Sequence, residues 1–225
     1  MNITLQPRSE RLKQEAIMRR SRKLSILTTS IVLGLVCGSA VAQEADTSGL
    51  PFAEQDLVGT FATVGCDNVA LGEDGQISNI RRYYNWDLTN YSVSYTWFAD
   101  EACAEPLFTF FFAGPYRLGA PRPELGPVRE AQIVFDTVTM TAESDAGAAV
   151  LREGCGSHPW STSMTRDVGP HACLIKAPRA DCIGDFELLM LDGDRLAPGV
   201  RTLDMCTPDG RPSAVQAVPA IRVTR

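Results

Sequence analysis

Residues 91–119, YSVSYTWFADEACAEPLFTFFFAGPYRLG, decide the fold of this chain. Their first part alternates large apolar side chains with mostly hydroxyl-bearing ones, the period-two pattern of a strand with two unlike faces. The apolar positions are Tyr91, Val93, Tyr95 and Trp97. Residues 107–112 (LFTFFF) form a second strand pattern. Thr109 lies on one face of this strand, and Phe108, Phe110 and Phe112 lie on the other. We predict an antiparallel hairpin, ended by Gly114-Pro115, whose aromatic surface must be covered by the rest of a sheet, by a ligand or by both.

Shorter strand patterns follow one another along the rest of the chain. They cover residues 57–64, 77–88, 131–141, 186–191, a segment from Arg195 onward and residues from about 214 to 223. Turn residues separate several of them, at 72–75 (GEDG) and at Asp192-Gly193, a strong hairpin signal. In 131–141 we expect Ile133, Phe135, Thr137 and Thr139 on one face and Val134, Asp136, Val138 and Met140 on the other.

One short helix is expected over residues 146–153. Ser144-Asp145 is a favourable N-terminal cap, and Gly154 a favourable end. About eight sequential strands with one short helix predict an all-β fold, a closed or half-open antiparallel barrel. A two-sheet sandwich is the alternative.

The first 42 residues have the pattern of a secretory signal. Basic residues Arg19, Arg20, Arg22 and Lys23 precede an apolar run at 25–36, and residues 40–42 form an A-x-A cleavage site. We therefore expect cleavage before Gln43, a flexible leader over 43–56 and a single domain over 57–225. The expected location is periplasmic or extracellular, with no transmembrane segment in the mature chain.

The net charge of the mature chain limits the classes of partner that it can bind. The signal holds seven of the 21 Lys and Arg residues and two of the 27 Asp and Glu residues, so 14 basic and 25 acidic residues remain, a formal net charge of −11. This excess argues against nucleic acid and against an anionic membrane surface as a partner.

An even number of cysteines follows the signal. They are Cys66, Cys103, Cys155, Cys173, Cys182 and Cys206. In an exported chain six cysteines indicate three disulfides, for which fifteen connectivities are open.

Six fragments, in order, resemble a known family. They are 59–61 (GTF) with Cys66, 82–84 (RYY), 100–106 (DEACAEP, similar to D-P-x-C-x-x-P), 114–119 (GPYRLG, similar to G-x-Y-x-x-G), the set 154–156 (GCG) with Trp160, 167–168 (DV) and Cys173, and 211–216 (RPSAVQ, similar to R-P-x-S-x-Q). The chain thus resembles the domain of the Wnt inhibitor named adenomatosis polyposis coli down-regulated, which occurs singly in bacterial proteins. It departs from that pattern at Glu101, where the family has proline, and in having Cys182 and Cys206.

The resemblance implies an extracytoplasmic barrel that is open enough to hold an apolar ligand such as an acyl chain. It also implies the disulfides Cys66–Cys103 and Cys155–Cys173, which leaves Cys182–Cys206. The aromatic hairpin is either ordinary core or the lining of a ligand site. For the second case the expected ligand-binding residues are Tyr91, Val93, Tyr95, Trp97, Phe108, Phe110 and Phe112.

The sequence patterns that could indicate a catalytic site or a metal site are weak. The chain has two histidines, His158 and His171, and no G-x-S-x-G elbow. Cys155, His158, His171 and Cys173 have zinc-ligand chemistry, but an oxidising location favours a disulfide. We therefore expect no metal, no cofactor and no catalytic residue.

The predicted function is a non-enzymatic carrier or sequestering protein for an apolar small molecule or a lipid acyl chain. One alternative is an interaction module for a lipidated or envelope protein. The other is an extracytoplasmic hydrolase that uses His158 or His171.

Overall fold

The computed structural model describes residues 51–71, 76–156, 158–174, 177–202 and 204–224, with the backbone alone for 68–71 and 76–77. The predicted signal, most of the leader and the turn at 72–75 lie outside these residues. In this part of the chain the helices are α1 (Glu54–Leu57) and α2 (Asp145–Gly154), and two 3-10 turns span Pro123–Leu125 and Pro208–Gly210. The strands are β1 (Gly59–Ala62), β2 (Asp67–Leu71), β3 (Gln76–Trp86), β4 (Asn90–Phe98), β5 (Pro106–Pro121), β6 (Val128–Val134), β7 (Thr137–Ala142), β8 (Thr165–Asp167), β9 (Gly184–Asp192), β10 (Arg195–Pro198) and β11 (Ala220–Thr224).

Eight of the strands close into a ring. Each pairs antiparallel with its neighbours in the order β3–β1–β11–β10–β9–β6–β5–β4, and β4 returns to β3. The predicted eight-stranded antiparallel barrel is confirmed. Three further strands extend the sheet outside the ring: β2 pairs with β3, β7 with β5, and β8 with β7.

The long strand β5 changes its partner half-way along. Its residues Phe108–Ala113 pair with β7, whereas pairing with β6 starts at Tyr116. The predicted end of the strand at Gly114-Pro115 is wrong. On this edge neither residue is paired, so the missing N–H of Pro115 breaks no ladder there. Gly114 is required because any side chain would collide with the carbonyl of Val134.

The predicted strand at 131–141 is in fact two strands, β6 and β7, joined by a corner at Phe135 and Asp136. The corner changes which residues point inward, from the odd-numbered to the even-numbered ones. Ile133 and Phe135, of one predicted face, are buried, but the next buried positions are Val138 and Met140 of the other predicted face. The sequence pattern hides this corner, because apolar residues occur at both odd and even positions of the segment.

The helix and the disulfides agree with the predictions. The Ser144 hydroxyl accepts a hydrogen bond from the N–H of Gly147, 3.1 Å, at the start of α2, which packs against β5 and β7. The disulfides are Cys66–Cys103, Cys155–Cys173 and Cys182–Cys206. Three disulfides indicate an oxidising, extracytoplasmic environment. None of the helices in the described ranges is long and apolar enough to span a membrane.

The interior has two unequal ends. At the closed end, where residues 116–121 of β5 lie beside β6, the ring is complete and the core is fully buried. Its side chains include Leu57, Phe61, Leu196 and Ala220. Phe52 also packs here, and its carbonyl accepts a hydrogen bond from Arg129, 2.9 Å, so the packed domain starts before residue 57. At the open end, residues 93–98 and 106–113 of the hairpin lie beside β7, β8 and α2.

Candidate functional site

The aromatic hairpin presents one continuous inward face. Val93 lies opposite Phe112, Tyr95 opposite Phe110 and Trp97 opposite Phe108. These six residues and Tyr91 are the predicted ligand-binding set, and the strand register places all of them on the face that carries the core. Tyr91, Val93 and the three phenylalanines are buried, whereas Tyr95 and Trp97 are half-buried.

Ring contacts join these side chains into a layer. Trp97 stacks on Phe108 with ring centroids 5.0 Å apart, and Phe112 stacks on Phe135 at 5.2 Å. Tyr95 meets the Trp97 and Phe112 rings edge-on. Each such pair contributes about 0.5–1.5 kcal/mol beyond its buried area. The layer is therefore cohesive even where Tyr95 and Trp97 are not fully covered.

A pocket opens beside this layer, and we call it the mouth pocket. Its lining consists of Tyr84, Trp86, Tyr91, Val93, Tyr95, Phe112, Ile133, Phe135, Asp185, Glu187, Leu189, Pro198 and Arg201. Four predicted residues, Tyr91, Val93, Tyr95 and Phe112, therefore line it, and Trp97, Phe108 and Phe110 do not. The cavity volume is about 30 Å³, which is room for one or two water molecules. With its side chains in these positions, the mouth pocket is too small for an acyl chain.

One side of the mouth pocket carries charge. Asp185 is buried and accepts a hydrogen bond from the guanidinium of Arg201, 3.0 Å, whose side chain is 34% exposed. Glu187, two residues further along β9, accepts hydrogen bonds from the N–H groups of Leu188, 2.8 Å, and Gly199, 3.0 Å. Burial, with the neighbouring Asp185 adding to it, raises the pKa of Glu187 to about 8. Glu187 is therefore mostly protonated at neutral pH, and the pair Asp185–Arg201 carries the local charges.

Sequence reasoning missed these three polar residues. Asp185 and Glu187 have the same parity as Leu189 and Leu191, so the alternation in β9 was the available signal that they point inward. Arg201 lies outside the strands, and no sequence pattern marks it.

Trp86, one of the residues that line the mouth pocket, has an unsatisfied donor. The indole N–H of Trp86 is buried and has no hydrogen-bond partner among the residues that the structure describes. Burial raises the pKa of Tyr91 and of Tyr95 well above the usual value, so both phenols stay neutral. An unpaired buried donor costs about 1–3 kcal/mol of free energy. A ligand whose acceptor atom binds the indole N–H of Trp86 recovers this amount as binding free energy.

A second charged group holds the far side of the barrel together. Arg82 is buried, forms an ion pair with Asp67, 2.7 Å, and donates to the carbonyl of Val218, 2.8 Å, and to the side chain of Gln216. These bonds fasten the segment before β11 to β3. Every one of these groups is paired within the protein, so this cluster has a structural role.

A larger surface groove, of about 380 Å³, lies at the closed end beside α1. Its charged residues already have partners: Arg222 binds Asp194 and the carbonyls of Asp56 and Val58. The mouth pocket is the better candidate, because it combines an apolar lining with a donor that lacks a partner.

The two histidines lie together, away from the residues that line the mouth pocket. The rings of His158 and His171 are 5.2 Å apart between centroids, and both residues are exposed. Cys155 and Cys173, weighed with them as metal ligands, are joined in a disulfide. Cys182, Asp185 and Cys206 also cluster, but these cysteines are bonded to each other as well.

No protein-family model matches the chain, and no curated protein matches it significantly. Membership of the family that the sequence resembles is therefore a proposal.

Proposed function

We propose that this protein is an exported, non-enzymatic binding protein that takes the apolar part of a lipid-like molecule, such as an acyl chain, into the open end of its barrel. It acts as a carrier or sequestering protein in the periplasm or outside the cell. The observation that carries the proposal is the incomplete cover over the inward aromatic face at Tyr95 and Trp97, next to the mouth pocket.

The two kinds of surface in the mouth pocket suit a molecule with an apolar body and a polar end. The aromatic layer offers contact area, at about 25 cal/mol per Å² of apolar surface buried. The free N–H of Trp86 and the half-exposed guanidinium of Arg201 favour an acceptor group such as a carbonyl or a carboxylate. A fatty acid or an acyl ester has both parts.

The small cavity sets a condition for this function. A volume of about 30 Å³ means that an acyl chain enters only if side chains move. Tyr95 and Trp97 are the candidates, because half-buried rings leave fewer contacts when they rotate than the fully buried Phe110 and Phe112. We therefore propose an induced pocket, in which one or both rings rotate away from the aromatic layer and pack against the ligand that enters beside them.

A direct test is native mass spectrometry of protein purified from its own host, before and after extraction with organic solvent. We expect an added mass that extraction removes, and renewed binding of a fluorescent fatty acid by the extracted protein. A protein that carries no added mass and binds no acyl probe contradicts the proposal.

The packed interior favours one alternative, a disulfide-stapled module that binds another secreted or envelope protein through its surface. In that case the barrel is only a scaffold, and 30 Å³ is ordinary packing. Affinity purification from the host then yields a stoichiometric protein partner that survives removal of lipid. A partner that is lost with the lipid supports the carrier function instead.

A further inference from the structure

The chain has two histidines in 225 residues, and the fold brings them together. His158 follows Cys155 by three residues, and His171 precedes Cys173 by two, so the Cys155–Cys173 disulfide closes the loop that carries both. We propose that His158 and His171 form a surface binding site for a divalent transition-metal ion of the class that prefers imidazole, with Zn²⁺ as the reference ion.

The geometry of the ring pair fits this role. Two imidazoles that share one tetrahedral zinc ion, with Zn–N bonds of about 2.0–2.1 Å, have ring centroids about 5 Å apart. The observed separation is 5.2 Å, with the ring planes tilted by 42°. The separation of the two rings is therefore the one that a shared ion requires.

The loop is held in place on both sides of the pair. The backbone N–H of His171 donates to the carbonyl of Val168, 3.2 Å, and the carbonyl of Pro159, next to His158, accepts from Arg166, 3.0 Å. The disulfide fixes the two loop ends. Much of the entropy of bringing the two ligands together has thus been lost during folding, which favours binding.

The ligand set decides the class of ion. The sulfur atoms of Cys155 and Cys173 are bonded to each other and are not thiolate ligands, so the two imidazoles remain as ligands. Imidazole suits Zn²⁺, Ni²⁺ and Cu²⁺ and is a poor ligand for Mg²⁺ or Ca²⁺. Because both histidines are exposed, water or a group from another molecule completes the coordination. This is the arrangement of an exchangeable site and not of a closed structural one.

The test is calorimetric titration of the untagged protein with ZnCl₂, without reductant. We expect saturable uptake of one ion per chain. His158→Ala and His171→Ala should each weaken binding by more than about tenfold, which is more than about 1.4 kcal/mol of binding free energy. Ser161→Ala is the matched control, since Ser161 is also exposed on this loop, and it should bind Zn²⁺ like the unaltered protein.

Two further measurements make the result decisive. Mass analysis after alkylation confirms that the three disulfides are intact in every variant, and circular dichroism confirms the fold. The conservative variants His158→Gln and His171→Gln keep a polar side chain and should lose Zn²⁺ to the same extent. No saturable Zn²⁺ uptake by the unaltered protein, or uptake that persists in folded histidine variants, overturns the proposal.

Discussion

The closed and open ends of the barrel are built from the same strands but differ in how completely they bury them. At the closed end Tyr116 of the aromatic hairpin is buried. At the open end Tyr95 and Trp97, on the same face of the same hairpin, are half-buried. The difference follows from the pairing of β5. Its residues Phe108–Ala113 pair on one edge with β7, which is outside the ring, and not with β6.

The two ends of the barrel therefore have different roles, one in stability and the other in binding. The complete ring contributes the stability, because its side chains are enclosed on all sides. The open end contributes the incompletely covered surface and the mouth pocket, where the unpaired Trp86 donor and the Asp185–Arg201 pair lie. Substitutions at the closed end should therefore change stability, and those at the open end should change binding more than stability.

The largest effect on stability is expected for Phe61→Ala at the closed end. Phe61 is fully buried, and the guanidinium of Arg222 lies 4.3 Å from its ring centroid. Loss of a buried phenylalanine side chain costs about 3–5 kcal/mol. Urea unfolding monitored by tryptophan fluorescence measures the loss. Tyr83→Ala, on the neighbouring strand but 51% exposed, is the control and should change stability by less than about 0.5 kcal/mol. Equal losses of unfolding free energy in the two variants would contradict the role of the closed-end core in stability.

Removal of the Cys155–Cys173 disulfide should have the next largest effect. The bridge spans 18 residues next to the open end, and a loop of this length is worth about 3 kcal/mol of chain entropy. The double variant Cys155→Ala/Cys173→Ala, with the other two disulfides intact, should lose that amount in urea unfolding and should keep the barrel, as seen by far-ultraviolet circular dichroism. A collapse of the whole fold would mean that the two ends are not separable.

Trp97→Ala should cost less than Phe61→Ala in spite of its larger side chain. Full burial of a large apolar side chain is worth about 1.5–3 kcal/mol, and Trp97 is only half-buried. We therefore expect a loss of about 1–2 kcal/mol in the same unfolding experiment. A loss as large as that of Phe61→Ala would show that the open end is packed like the closed one.

The effect of Glu187 on stability depends on pH. Its pKa of about 8 in the folded protein lies above the ordinary 4.5, so between these values the folded state keeps a proton that the unfolded state has released. Stability should therefore fall as the pH rises from about 4.5 to about 8, by at most about 1.4 kcal/mol per pH unit. Glu187→Gln accepts the same two backbone hydrogen bonds without titrating. Urea unfolding at pH 5, 7 and 9 should show a weaker decline in this variant, and an unchanged decline would assign it to other groups.

The sequence predicts the barrel, the aromatic hairpin and helix α2 because each of these has a local pattern. Alternation places Tyr91 to Trp97 and Phe108 to Phe112 on one face, and Ser144 marks the start of α2. The corner at Phe135 and the change of partner at Gly114 have no such pattern. They depend on which strand lies alongside, and this is decided by contacts between distant parts of the chain.

The candidate site is predicted only in part for the same reason. Its aromatic lining belongs to a strand pattern, whereas the polar groups come from three separate segments: Trp86 from β3, Asp185 and Glu187 from β9, and Arg201 from the loop after β10. Only the closure of the ring places them together. The pairing of His158 with His171 likewise depends on the Cys155–Cys173 disulfide.

The carrier function is tested most directly by titration of a fluorescent fatty acid into the unaltered protein, Trp97→Ala and Phe111→Ala. Phe111 is a half-buried ring of the same hairpin on the opposite face, between Phe110 and Phe112, and is the matched control. We predict saturable binding to the unaltered protein, a loss of about 1–3 kcal/mol of binding free energy in Trp97→Ala and no change in Phe111→Ala. An absence of acyl binding, or equal loss in the two variants, would contradict a ligand site on the inward face of the open end.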